Sequence, residues 1–337
     1  MKQKFLIIGI VFSILLLFLI NLSVGSVAIP IKEVFRILLG EASVKSSWEY
    51  IVLSYRLPKA IIASLSGIGL SIGGLLMQTL FRNPLAGPYV LGISSGASLG
   101  VGVVVLGSSI IPLFLTTFFL SPYGLVFSAC LGSFLVLISV LVVSRKLKDT
   151  MAILIVGLMF GSITVAIINV FTYFSTAEQL KKFTLWSLGN LGNQSWNSIF
   201  ILLIAIFVGL VLSYICTKPL NALLLGENYA RSMGIKLEQT KNIIIIATSI
   251  LSGSITVFVG PIAFIGLAVP HLAKLLFATS DHKILFWSTI SLGIITMLIC
   301  DTISQMPSFD FVLPINAVTS IVGAPVVIWL LVQKRKF

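Results

Sequence analysis

Residues 122–144, 150–174 and 196–216 contain no Asp, Glu, Lys or Arg. Each run is long enough to cross the ~30 Å hydrocarbon core of a bilayer as a helix. A water-soluble domain has no place for several such stretches. In lipid the backbone must satisfy its own hydrogen bonds, which leaves helices or closed barrels. Barrel strands alternate apolar with polar residues and these runs do not, so the expected fold is all-α and polytopic. Composition agrees, with 58% hydrophobic and only 9% charged residues, against roughly 25% charged in soluble proteins. A soluble enzyme, a disordered chain and a disulfide scaffold are excluded. Cys130, Cys216 and Cys300 lie far apart, with neither disulfide nor zinc spacing.

The net charge of +12 comes from short clusters such as Arg145-Lys146-Leu147-Lys148 and Lys334-Arg335-Lys336. Basic clusters between apolar runs are the mark of loops on the cytoplasmic side, so nucleic acid is not an expected partner. Spans are expected at about 5–22, 59–81, 90–107, 122–144, 150–174, 196–216, 242–260, 262–278, 284–303 and 315–332, about ten in one transmembrane domain over residues 1–337. The first, after Lys2 and Lys4, reads as an uncleaved helix despite the small residues Ser26-Val27-Ala28 behind it. With the amino terminus inside, the outer basic residues are Lys32, Arg36, Lys45, Arg56, Lys59, Lys181 and Lys182, and all others fall inside. That bias puts both termini in the cytoplasm. In the large outer loop, Ile31–Leu38 has the spacing of a short amphipathic helix at the membrane surface.

Gly87-Pro88 and Gly260-Pro261 each lead into a short Gly-containing apolar segment. By the span count they lie on opposite sides, the pattern of an inverted repeat around a pathway. Ionisable groups inside spans are few. Asp301, near the outer end of the ninth span, is expected to be solvated, and His271 to be a hydrogen-bonding group rather than a metal ligand. The inner loop 217–241 reads as two short helices, opened by Pro219, bent at Gly226 and ended by Gly234. It is either an amphipathic linker or a docking surface. No Gly-Lys-Ser phosphate loop is present, so ATP hydrolysis is not expected of this chain.

Arg56-Leu57-Pro58-Lys59, Gln78, Asn83-Pro84-Leu85-Ala86, Leu91-Gly92-Ile93-Ser94-Ser95-Gly96-Ala97, the stretch Leu225 to Gly234, Phe264 to His271, Leu313-Pro314 and Gly323-Ala324-Pro325 occur in this order. Together they resemble the iron-chelate and cobalamin ABC-importer permeases, from about residue 50 to the carboxyl terminus. The resemblance implies a cobalamin-importer-permease-like fold in the bacterial cytoplasmic membrane. It also implies a second permease subunit, a homodimer being the first expectation. Two cytoplasmic ATPase subunits would carry ATP and Mg, and a substrate-binding protein would dock from outside. This chain would bind no cofactor or metal and would not be an enzyme.

Residue by residue, the resemblance assigns ATPase coupling to Leu225, Gly226, Glu227, Ala230, Arg231, Met233 and Gly234. Docking of the binding protein falls to Arg56 and Lys59, an inner gate to Asp149 and Thr150, and structural motifs to Asn83, Pro84, Gly92, Gly266, Pro270 and His271. The chain departs from the family where Asp-x-x-x-Arg is common, since Asp301 is followed by Gln305. Ferric siderophore is the first cargo expected, with haem or cobalamin as alternatives. A secondary transporter is the competing class, since inverted repeats also occur there.

Overall fold

The structure, a computed structural model, describes residues 2–41, 43–109, 112–144, 147, 150–192, 194–305 and 311–333. Regular structure among them is helical. α1 (Lys2–Ser23), α2 (Ile31–Leu38) and α3 (Ser46–Ile51) lead through a π turn at Val52–Arg56 into α4 (Leu57–Leu80). A 3₁₀ turn at Pro88–Leu91 precedes α5 (Ile93–Leu106), followed by α6 (Leu113–Phe119), α7 (Pro122–Ser144) and α8 (Thr150–Tyr173). Then come α9 (Ala177–Ser187), α10 (Trp196–Ile215), α11 (Thr217–Leu224), α12 (Glu227–Ser232), α13 (Leu237–Val259), α14 (Ile265–Phe277), α15 (His282–Ser304) and α16 (Ile315–Gln333).

Six stretches are long and apolar enough to cross a membrane: Ser46–Leu80, Pro122–Val143, Met151–Tyr173, Trp196–Ile215, Leu237–Val259 and His282–Ser304. Four shorter apolar helices, Ile7–Ser23, Ile93–Leu106, Ile265–Phe277 and Ile315–Trp329, lie at the other expected spans. Six of the ten expected spans are thus helices long enough to cross, and the other four coincide with helices shorter than that. The outer loop expected up to residue 58 is also corrected. Helix begins at Ser46, so the second span is the end of a continuous rod. α2 has the expected bounds, yet its Val34 and Ile37 are buried and it packs on α1. α9 was not expected, although Thr176 and Gln179 spell its capping box: Thr176 Oγ1 accepts from the Gln179 amide and Gln179 Oε1 from the Thr176 amide.

Burial ranks the helices. In the Ser46–Leu80 rod 78% of the most apolar window is buried, against 22% in Met151–Tyr173. α4 is therefore the axis, packed on α13, α14 and α15, while the exposed Ile155, Met159 and Ile163 of α8 give an apolar outer face suited to lipid or another subunit. Glycine permits the close crossings at the axis. A Cβ on Gly74 would sit 1.7 Å from the Gly266 carbonyl oxygen of α14, and one on Gly67 would sit 2.2 Å from that of Gly293 in α15. Helices in lipid gain little from hydrophobic exclusion, so backbone approach at small residues supplies the attraction.

Gly74→Ala should therefore force α14 off α4, costing about 1–3 kcal/mol as overpacking does. Gly253→Ala is the control, because its Cβ would meet only Ile93 Cγ2, at 3.4 Å. Thermal unfolding in detergent should separate the two, with Gly74→Ala clearly lower and Gly253→Ala unchanged or raised. Equal midpoints would refute glycine-mediated packing at this crossing.

Candidate functional site

Polar and charged residues gather at the two ends of the buried axis. At the end where α4 begins, the π turn directs Arg56 inward, leaving it only 7% exposed. Its guanidinium donates to the carbonyls of Leu22 and Ser23, both at 2.8 Å, and to that of Val27. Arg56 thereby satisfies carbonyls left over where α1 ends. Gly25 lies against it, since a Cβ there would come within 2.6 Å of the guanidinium.

Three residues on, Lys59 Nζ lies 2.9 Å from Asp301 Oδ1, an ion pair between α4 and α15. Asn21 of α1 and Gln305 donate to Asp301 Oδ2 at 2.9 and 3.1 Å. The expectation of a solvated Asp301 is wrong: the side chain is fully buried, because Lys59 neutralises it and two amides occupy its second oxygen. Gln305, where the family often has Arg, here completes the shell of that carboxylate. A cavity of about 370 Å³ opens beside the cluster, lined among others by Gly25, Tyr55, Arg56, Lys59 and Gln305.

At the opposite end, α11 and α12 form the bent pair expected from sequence. Gly226 holds the bend at φ 120°, ψ 150°, a region essentially closed to side-chain-bearing residues. Glu227 sits in the first turn of α12, favourable to the helix dipole, and pairs with Lys241 of α13 at 3.0 Å. Gly234, at φ 80°, closes α12, with the Ile235 amide donating to the Ala230 carbonyl at 3.1 Å. Ala230 is fully buried and holds α12 down, whereas Leu225 and Met233 are 67% and 59% exposed. Arg231 is exposed as well. Sequence reasoning gave no coupling role to Leu224 and Tyr229, which extend the exposed apolar face.

It also passed over Asn221. Its Oδ1 accepts from the His282 backbone amide at 2.8 Å and faces His282 Nδ1 at 2.7 Å, while its Nδ2 donates to Asp281 Oδ1 at 2.8 Å. Asp281 caps α15 through the Lys283 amide. The Asn221 amide, and after it the Lys283 amide, hold the Asp281 carboxyl below the usual carboxylate range. His282 Nε2 meets Thr79 Oγ1 of α4 at 2.8 Å. The only available signal, an Asn, an Asp-His pair and a Thr far apart in sequence, carries no spacing rule.

The structural-motif residues join α4, α14 and the loop between α4 and α5. Asn83 Oδ1 accepts from the Leu85 amide at 2.9 Å, fixing a turn, and His271 Nε2 donates to the Pro84 carbonyl at 3.0 Å. Pro270 cannot donate to the Gly266 carbonyl one turn back, and Gln78 Nε2 reaches the carbonyls of Gly266 and Leu267 at 3.5 and 3.1 Å. Gly92, at φ 73°, starts α5 against α8. Asp149 lies outside the described residues, and of Thr150 only its place as the first residue of α8 is described.

Against known proteins, residues 13–333 match the model of the FecCD transport family. The hemin transport system permease protein HmuU of Yersinia pestis is 33% identical over 325 residues, covering 96% of this chain and 95% of that one. The vitamin B12 import system permease protein BtuC of Citrobacter koseri is 34% identical over 291 residues, covering 86% and 84%. A solved metal-chelate type ABC transporter in an inward-facing conformation superposes with TM-score 0.84 over 98% of this chain and 99% of that one, at 23% identity, a likeness of fold.

The buried pair makes a sharp prediction. Lys59→Met strands Asp301 without its counter-charge and should cost about 3–5 kcal/mol, whereas adding Asp301→Asn should restore most of the loss. Thermal unfolding of the two variants tests this. Equal stability of Lys59→Met and the native protein would mean that Asp301 is not held as a buried anion.

Proposed function

Because this chain belongs to the FecCD transport family of ABC-importer permeases, a family of transport subunits and not of enzymes, we propose that it imports a haem- or cobalamin-class metal chelate. The relatives support that cargo class over the ferric siderophore first expected, since they are named for hemin and vitamin B12. In this reading the four short apolar helices join the six long ones as ten spans in a single domain. α5 and α14 are equivalent members of an inverted repeat. Both follow a Gly-Pro stretch, and both begin after a left-handed residue, Gly92 at φ 73° and Phe264 at φ 66°.

Two copies form the pathway in the bacterial cytoplasmic membrane, with both termini inside. Two ATPase subunits take up the α11–α12 segment, and a binding protein delivers the chelate from outside. The observation that carries this reading is the bent α11–α12 pair, whose Leu225, Tyr229 and Met233 present an exposed apolar face. Glu227 and Arg231 flank that face, while Gly226, Ala230 and Gly234 shape it. Docking at the other end rests on Arg56 more than on Lys59. Lys59 is neutralised by Asp301, while among the described residues the Arg56 guanidinium bonds to carbonyls only, beside the cavity. Asp149 and Thr150 remain the proposed inner gate.

ATP binding closes the ATPase pair, the seated segment moves, and access alternates between the two sides. Reconstituted with its ATPase and binding protein, the permease should turn over ATP faster with haemin or cyanocobalamin than with ferric siderophores. The reverse order would return the siderophore reading. Uptake driven by a proton gradient without ATPase would overturn the importer altogether.

Gly226→Val tests the segment. Valine at φ 120° is strained by about 1–3 kcal/mol, enough to turn α12 away while leaving the spans alone. Membrane insertion and binding-protein affinity should be retained, and ATPase co-purification and transport should fall together. Unaltered transport would remove the segment from coupling.

A further inference from the structure

The α11–α12 segment has to move something inside the bundle, and its apolar contacts are poor levers. Leu220 and Leu223 bury non-directional side chains that can slide. Among the described residues, directional bonds tie α11 to the end of α4 and the start of α15 at two places. Arg82, just past α4, donates to the Leu223 carbonyl at 3.0 Å, which ties the last turn of α11 to the chain after α4. The second place is Asn221, whose single amide group engages three groups at the start of α15: the Asp281 carboxylate, the His282 backbone amide and the His282 ring.

Chemistry fixes the orientation of that amide. Asp281 only accepts and the His282 N–H only donates, so Asn221 cannot flip without losing both bonds. Its oxygen then requires a hydrogen on Nδ1, which in the neutral ring leaves Nε2 to accept from the Thr79 hydroxyl of α4, whose one hydrogen the Leu75 carbonyl at 3.0 Å also competes for. His282 is 1% exposed, so the bonds of its ring are shielded from water, while Asn221 and Asp281 are half-buried. α15 and α4 are also joined at their far end by Lys59 and Asp301, and in the middle by the Gly67–Gly293 crossing. Displacing the start of α15 therefore displaces a body that reaches from one end of the bundle to the other.

Building on the permease reading, we propose that Asn221 and His282 are the positioning residues that carry movement of the α11–α12 segment into the joined pair α4 and α15. Neither need touch nucleotide, ATPase or cargo. Asn221 is the pin, and His282 spreads the load from the cap of α15 to the last turn of α4. Without the pin, the segment can follow the ATPase while the bundle stays where it was.

The test is hydrogen exchange of the full chain bound to its ATPase, with and without a non-hydrolysable ATP analogue. In the native complex the analogue should alter exchange in 217–234, in the first turn of α15 and in the last turn of α4. Asn221→Leu keeps side-chain bulk but removes all three bonds. Without nucleotide, its His282 amide should exchange roughly five- to tenfold faster, as for one lost hydrogen bond. With the analogue, its response should persist in 217–234 and vanish from α15 and α4.

Should that variant fold poorly, Asn221→Asp sets two carboxylates against each other, and Asn221→Asp combined with Asp281→Asn restores donor and acceptor in exchanged positions. Recovery of the response at α15 in the double variant supports the pin. A response at α15 and α4 that survives Asn221→Leu overturns it, as does a native response confined to 217–234. A native chain that binds no ATPase, or shows no change even in 217–234, refutes the importer reading and this proposal with it.

Discussion

The contact on which the rest of the structure depends is backbone against backbone along α4. Glycines at 67 and 74 let α15 and α14 approach to distances that no Cβ would allow. Lipid offers a helix no hydrophobic reason to leave it, so close van der Waals approach and internal polar bonds must do the work that water-exclusion does elsewhere. The polar residues follow from that geometry. Once α4 is enclosed, anything ionisable on it must find its partner within the protein. Lys59 does so in Asp301 at one end, and at the other α4 offers the Thr79 hydroxyl to the buried His282 ring of α15.

The same constraint explains why the chain tolerates two broken stretches among its spans. Gly87–Leu91, with its 3₁₀ turn, and Gly260–Phe264 interrupt the α-helical bonding, which in lipid would strand several N–H and C=O groups. Both lie where protein encloses them. Pro88 packs on Gly73 of α4 and Gly266 of α14, while Asn316 Oδ1 accepts from the Ala263 amide at 3.1 Å. Gln78 performs the corresponding task inside α14, reaching the carbonyl that Pro270 leaves without a donor. Gln78 and Asn316 are thus matched to breaks in the backbone pattern.

Much of the fold was legible because charge-free length and glycine punctuation are local properties. The spans of α7, α8 and α10 can be read from the absence of charge alone, and Gly226 and Gly234 marked the ends of α12. The start of the second span was not legible. Arg56 and the polar residues of 46–55 read as a loop, yet the stretch is helical although Ser46–Ile51 buries no residue and only Val52 and Arg56 turn inward in the π turn. Asp301 was misread because the sequence shows one carboxylate near a span end, but not the lysine more than two hundred residues away that cancels it. Arg56 and Lys59 were singled out as surface cations. Arg56 is instead buried, and the π turn that swings it inward leaves no pattern in residue spacing.

What distinguishes the two ends is the kind of bond each uses. Around Arg56 and Asp301 the interactions are charged, buried and multiply shared, so an arrangement with any member missing is costly. Around Gly226 they are a backbone conformation, one partly exposed ion pair and a few exposed apolar side chains, all of which can be reoriented at modest cost. Stiffness at one end and compliance at the other is what a lever requires. Asn221 and His282 sit at the boundary between the two regimes, where the compliant segment first meets groups that cannot give way without losing directional bonds. A bundle tied equally firmly at both ends would resist the segment's motion, and one tied loosely at both would not transmit it.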